Sequence, residues 1–196
     1  MAEIWAIILA AGESERMDKN KLLLPFKGKT IIETVIDNIR QSIIDKIMII
    51  TGAFKDDMIK IIKQLPLKNC YNEEYKKGML SSVQCGFKNI PGEPDIVLIF
   101  LADQPDISPE IINLLITNYK EFKKGIVIPA YKGHRGHPLL IDWKYRSIIE
   151  KLNPKIGLRD LLFKYPEDIL EVTVESSGIL MDVDTPKDYL NLTNFK

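Results

Sequence analysis

The chain has 196 residues, 45% of them hydrophobic, enough for one sizeable core and short for two, so a single domain over 1–196 is expected. Its 27 basic and 27 acidic side chains cancel, which excludes broad electrostatic attraction to nucleic acid or anionic lipid and confines any phosphate site to a local cluster. The apolar runs Ile4–Ala11 and Ile96–Ala102 are too short to cross a bilayer, and the first lacks a basic lead-in, so a cytoplasmic enzyme with no membrane partner is the expectation.

Ile4-Trp5-Ala6-Ile7-Ile8-Leu9 is continuously apolar, as suits an inner strand of a parallel sheet covered on both faces. The small residues Ala10, Ala11 and Gly12 follow, letting a ligand approach the backbone while consecutive amides form an anion-binding nest. Arg16 and Lys21 add two separated cations, a pair suited to polyphosphate, although a solvated basic loop reads the same way from these residues alone. Gly28-Lys29-Thr30 imitates the end of a Walker A loop, but Leu23 stands where the first glycine belongs and Pro25-Phe26 fill the phosphate cradle. A turn capping a helix is the better reading. Thr30 and Glu33 form a capping box whose helix should reach about Arg40, and Ile47–Thr51 reads as the next strand.

Cys70 and Cys85 have neither C-x-x-C spacing nor further cysteines, so they are expected as buried thiols rather than a disulfide or zinc knuckle. A helix begins near Gly78, where Ser81 and Ser82 offer hydroxyls for either an N-cap or a ligand. After the loop Gly92-Glu93-Pro94, the strand Asp95–Leu101 puts Asp103 at a carboxyl end, where open α/β sheets bind ligands. Asp103 can hold a metal or merely cap the turn before Pro105. Ser108 precedes a first-turn Pro109, Ile126–Pro129 is a strand, and Lys132–Gly136 is a glycine-containing loop expected to be mobile. His134 and His137, without a Cys or carboxylate nearby, fall short of a zinc set. Ile169–Val174 and Ile179–Val183 read as strands, and Pro186 starts a final helix ending near Leu192. Alternation places Asp182 and Asp184 on one face, so spacing does not choose between them as a second metal acid; Asp184, at the strand end, is preferred. Asp188 reads as a capping acid. The alternation of strands and helices predicts a three-layer α/β/α sandwich with a mostly parallel sheet, and the absence of G-x-G-x-x-G leaves a dinucleotide site unsupported.

The stretch Leu9-Ala10-Ala11-Gly12-Glu13-Ser14-Glu15-Arg16-Met17-Asp18-Lys19-Asn20-Lys21-Leu22-Leu23-Leu24-Pro25 resembles the signature of the molybdenum cofactor cytidylyltransferases, a branch of the nucleotidyltransferase superfamily. Gly78-Met79-Leu80-Ser81-Ser82, Arg135-Gly136-His137-Pro138 and Asp182-Val183-Asp184-Thr185-Pro186 match further segments of that family in the same order, and Gly157-Leu158-Arg159 is similar too. The resemblance implies a Rossmann-like nucleotide-diphospho-sugar transferase fold and transfer of CMP from CTP to molybdopterin or its molybdenum-bound form. Leu9, Ala10, Ala11, Gly12, Arg16, Lys21, Ser81, Ser82 and Asp103 would then bind nucleotide, with Lys21, Arg16 and Asp103 catalytic. Asp103 and Asp184 would hold Mg²⁺ or Mn²⁺, while Arg135 and His137 would face the acceptor, with a structural role for His137 as the alternative. A molybdenum hydroxylase would be a transient partner. A guanylyltransferase would be expected to carry Leu-Ala-Gly-Gly at positions 9–12, and the Arg135–Pro138 match argues against sugar- or polyol-phosphate acceptors. A non-catalytic accessory protein that delivers the cofactor would use the same loop.

Overall fold

The computed structural model describes residues 3–17 and 19–194; Asp18 of the N-terminal stretch lies outside them. In chain order the strands are β1 (Ile4–Ala10), β2 (Pro25–Phe26), β3 (Lys29–Thr30), β4 (Lys46–Thr51), β5 (Lys68–Tyr71), β6 (Ile96–Leu101), β7 (Ile126–Tyr131), β8 (His134–Arg135), β9 (Leu139–Asp142) and β10 (Ile169–Thr173). The helices are α1 (Ile31–Arg40), α2 (Lys55–Ile62), α3 (Met79–Asn89), α4 (Pro109–Phe122), α5 (Arg146–Ile149), α6 (Arg159–Lys164) and α7 (Pro186–Asn194).

The main sheet runs β10-β7-β9-β6-β1-β4-β5, with β8 paired to β7. β1 is central and parallel to both β4 and β6, as its unbroken apolar sequence requires. Its side chains alternate between two cores. Ile4, Ala6, Ile8 and Ala10 meet α1, α2 and α4 on one face, while Trp5 and Ile7 meet α3, α5 and α6 on the other. The expected three-layer sandwich with a mostly parallel sheet is therefore what the chain forms. No described helix is long and apolar enough to cross a membrane.

Besides the two-residue β8, β9 departs from the parallel rule, running antiparallel between β6 and β7 with Leu139 opposite Ile99. Its first residues consequently lie at the carboxyl ends of its neighbours. The segment 132–136 is a tight hairpin rather than a mobile loop: Lys132 (φ 49°) and Gly133 (φ 80°) make the two-residue turn between β7 and β8. Lys27 (φ 50°) and Gly28 (φ 82°) do the same between β2 and β3, so the Walker-like tripeptide is a hairpin turn leading into the complete Thr30–Glu33 capping box. The expected strand Ile179–Val183 is not formed. Ser177–Leu180 is a 3₁₀ turn capped by Ser176, and Ile179 and Val183 are buried by packing, not by sheet pairing. Cys70 and Cys85 are free and half-buried, with their sulfurs 3.1 Å apart; burial foremost, then the neighbouring thiol, pushes Cys85 up to about 12.

Candidate active site

β1 and β6 end side by side, with Leu9 paired to Leu101, so the segments that follow them leave the sheet together. The loop after β1 turns at Ser14 (φ 51°), whose carbonyl accepts from Met17 N at 2.8 Å. Asn20 then caps a 3₁₀ turn, Lys21–Leu23, by accepting from Leu22 N at 3.2 Å. That cap aims Lys21 across the cleft.

The Lys21 ammonium lies 2.5 Å from Asp103 Oδ2 and 2.7 Å from Asp184 Oδ1, and Arg16 Nη2 lies 2.7 Å from Asp184 Oδ2. Exposure separates these contacts. The Lys21 and Asp103 side chains are 14% and 16% exposed, whereas Arg16 is 65% exposed, so the first pair is shielded and the Arg16 contact is largely screened by water. Burial pulls the Lys21 ammonium down, but the facing Asp103 and Asp184 outweigh it and hold Lys21 above the ordinary lysine value. The hydrogen bond from Lys21, helped by the Lys21 and Arg16 charges, overcomes burial and keeps Asp184 below the usual carboxylate range.

Asp182 behaves differently. Its Oδ1 accepts from Gln104 Nε2 at 2.5 Å, and burial first, then the Asp103 charge, push its carboxyl up. Of the two acids that spacing left equivalent, Asp184 is the one that reaches Lys21. A backbone bond from Val183 N to Asp103 O at 3.2 Å fastens this segment to the end of β6. Asp188 closes a capping box with Thr185, accepting from Thr185 N at 2.8 Å while its own amide donates to Thr185 Oγ1 at 3.2 Å.

These groups edge a cavity of about 340 Å³ lined by Leu9, Ala11, Gly12, Ser82, Asp103 and Asp184, among others. A Cβ added at Gly12 would meet nothing within 4 Å, and Gly12 has no positive φ, so the fold itself does not demand glycine there. Ala11 is held differently: it packs where Gly52 lacks a side chain, since a Cβ at Gly52 would lie 2.5 Å from Ala11 O.

The two serines separate as well. Ser82 faces this cavity, whereas Ser81 donates to the carbonyls of Glu74 and Gly78 and lines a groove of about 760 Å³ on the other side of α3. Gly78 and not Ser81 occupies the N-cap of α3, at φ 98°. Asn72, buried at the end of β5, donates to both serine hydroxyls at 2.9 and 3.0 Å and so fixes the start of α3 against the sheet. Nothing in the sequence singled out Asn72 or Gln104, because a lone amide after a strand carries no spacing pattern.

A second cavity, about 470 Å³ and more apolar, shares Met79 with the first and is lined by Arg135, His137, Leu139, Gly157 and Arg159. The two remote segments 135–138 and 157–159 thus meet in one wall. Arg135 is tied to Glu171 through Nε (2.9 Å) and Nη2 (2.6 Å). Burial, opposed by the Asp103 charge, lowers His137 from its ordinary value, so its imidazole is neutral near pH 7. Among the described residues no three His, Cys, Asp or Glu side chains are grouped to cage a metal.

Residues 6–169 match the MobA-like NTP transferase domain. The chain belongs to the MobA-like NTP transferase family. It is a nucleotidyltransferase. The chain is 28% identical over 192 residues to the molybdenum cofactor cytidylyltransferase of Escherichia coli (strain K12), covering 97% of this chain and 95% of that one. It is 33% identical over 136 residues to a probable molybdenum cofactor guanylyltransferase of Natranaerobius thermophilus, covering 67% and 62% of the two chains. A manganese complex of a protein from Mycobacterium tuberculosis H37Rv superposes with a TM-score of 0.84 at 21% identity, covering 99% of this chain and all of that one, which establishes the shared fold. The MobA-like transferase described here thus carries relatives with two different nucleotides in their names, and identity alone does not choose between them.

Proposed function

We propose that this MobA-like transferase moves CMP from CTP to the terminal phosphate of molybdopterin, metal-free or molybdenum-bound, and releases pyrophosphate. The observation that carries the reading is the meeting of Lys21, Asp103 and Asp184, from three remote segments, at the rim of a cavity that Gly12 leaves open. The residue Ala11 in Leu9-Ala10-Ala11-Gly12 favours the cytidylyl over the guanylyl form, and the 33% identical relative is the reason to test both.

The donor set fits Mg²⁺ or Mn²⁺. Two hard carboxylates already converge on one cation, the Lys21 ammonium, and magnesium typically takes one or two carboxylates with the rest of its shell from phosphate and water. Asp103 and Asp184 would hold the ion, whose contribution is to neutralise charge on the phosphates. Lys21, Arg16 and the amides after β1 hold the triphosphate and align its α-phosphorus. Ser82, which lines the same cavity, would meet the base and ribose, and Arg135, His137 and Arg159, which line the second cavity, would meet the acceptor.

An acceptor phosphate oxygen attacks the α-phosphorus, the new P–O bond forms, and the bond to the β-phosphate breaks with its electrons leaving on pyrophosphate. A phosphate monoester with a second pKa near ~6 is already mostly ionised at neutral pH, so no general base is required. His137, half-buried and lowered by burial from its ordinary value, suits a hydrogen bond to the acceptor better than a charge on it.

Pyrophosphate release with magnesium and molybdopterin, compared among CTP, GTP, ATP and UTP, tests this. CTP should be preferred by about tenfold or more, the scale of one hydrogen-bonded base contact. Preference for GTP would move the assignment to guanylyl transfer, and tight cofactor binding without release would favour a delivery role.

A further inference from the structure

The point at which Asp103 and Asp184 converge is filled by the protein itself. One nitrogen, Lys21 Nζ, touches both carboxylates at 2.5 and 2.7 Å, and Lys21 and Asp103 are both largely withdrawn from water. A magnesium ion bonded to the same two oxygens would sit about 2.1 Å from each, so it and the ammonium exclude one another by position as well as by charge. The second cation, Arg16, takes the remaining oxygen of Asp184. The acid pair is therefore already neutralised from two directions.

We propose that Lys21 is a latch on the metal position: its ammonium keeps divalent cations off Asp103 and Asp184 until a triphosphate draws it away. The proposal rests on reading this cleft as a triphosphate site. The exchange is chemically balanced. A lysine on a flexible four-carbon stem keeps full charge compensation when it moves from carboxylate to phosphate oxygens, and the vacated acids, with only the exposed Arg16 still on Asp184, are left with negative charge that a metal–nucleotide complex satisfies. Lys21 starts next to the cavity that would hold those phosphates, since Asp103 and Asp184 both line it. Metal and nucleotide then load together, and the acids do not collect a bare ion. Lys21 in this scheme has two successive partners, acids first and phosphates second, which a residue serving only the phosphates would not have.

The test is Mn²⁺ binding followed by the electron paramagnetic resonance signal of the free ion, with the intact protein and without acceptor. Wild-type protein should bind Mn²⁺ weakly alone and at least about tenfold more tightly with CTP present. Lys21→Met should bind Mn²⁺ without nucleotide about tenfold or more tightly than wild type, the scale of one partly screened unit charge at contact distance. Lys21→Arg, which keeps the charge, should stay weak; its melting temperature and that of Lys21→Met report whether each variant is folded. Equal Mn²⁺ affinity of folded Lys21→Met and wild type without nucleotide, with wild type still binding Mn²⁺ more tightly when CTP is present, would overturn the latch and leave the triphosphate reading standing. Absence of Mn²⁺ binding even with CTP would overturn both.

Discussion

Lys21 Nζ lies 2.5 Å from Asp103 although 82 positions separate the two residues in the chain. The pairing exists because β1 and β6 are adjacent and in register, so the turn after one strand and the turn after the other open onto the same space. Neither residue has this partner without the parallel sheet.

Removing either member should abolish most activity while leaving the fold. Lys21→Ala and Asp103→Ala are each expected to lose about 2–4 kcal/mol of transition-state stabilisation, the scale of one preorganised electrostatic contact. In kcat/KM for pyrophosphate release that is about 30- to 10³-fold. Circular dichroism should show native helix content for both, and wild-type turnover by either variant would remove it from the assigned role.

The two neighbouring acids should part company. Asp184→Asn removes a partner of Lys21 and is expected to reduce kcat/KM by about 10²-fold or more. Asp182→Asn keeps an oxygen for Gln104 and relieves repulsion with Asp103, so activity should fall less than about threefold, within the usual effect of a retained hydrogen bond. Steady-state kinetics of the pair decides which acid serves the site.

Two glycines of the same region should fail in different ways. Gly12→Ala meets open space, so its melting temperature should be unchanged within about 2 °C while KM for CTP rises by about tenfold or more, because the added methyl enters the nucleotide cavity. Gly52→Ala forces a Cβ against the Ala11 backbone and should cost about 1–3 kcal/mol of stability, seen in denaturant unfolding. An unaltered CTP affinity in Gly12→Ala would place the nucleotide elsewhere.

Acid stability follows from the signs of two shifts. Asp184 is held below its unfolded value, so its ion pairs stabilise the fold above the ordinary carboxylate range and that contribution fades as pH falls through the lowered value. Asp182 is raised, so protonation through its raised value relieves a penalty as pH falls. Thermal melts between about pH 7 and pH 3 should therefore show a shallower acid decline for Asp184→Asn than for wild type, and a steeper one for Asp182→Asn. Lys21 adds the mirror effect in alkali: its contribution is complete below the ordinary lysine value and is lost as pH rises through the raised one.

The parts of the fold legible in the sequence are those whose cause is local. The apolar run of β1, the Thr30–Glu33 box and the position of Asp103 beyond a strand all follow from neighbours a few residues apart. Ile179–Val183 misled because burial alternates there as it would in a strand, although a Ser176-capped turn sets the backbone. β5 was silent because its edge position leaves Lys68 and Asn69 exposed, erasing the apolar pattern, and β9 because four residues after a proline give too short a run. In the site, motif residues could be named but their division of labour could not. The sequence prefers Asp184 to Asp182 and Ser82 to Ser81, but the partners that separate them, and the roles of Asn72 and Gln104, appear only in three dimensions.

The reversed direction of β9 has a consequence for how such an enzyme can diversify. Because that strand begins where β6 stops, Arg135, Gly136 and His137 line the second cavity while the turn after β1 lines the first, the two meeting at Met79. On the function proposed, lengthening or shortening the 132–136 hairpin would retailor the recipient of the nucleotide without disturbing the register that brings Lys21 to Asp103.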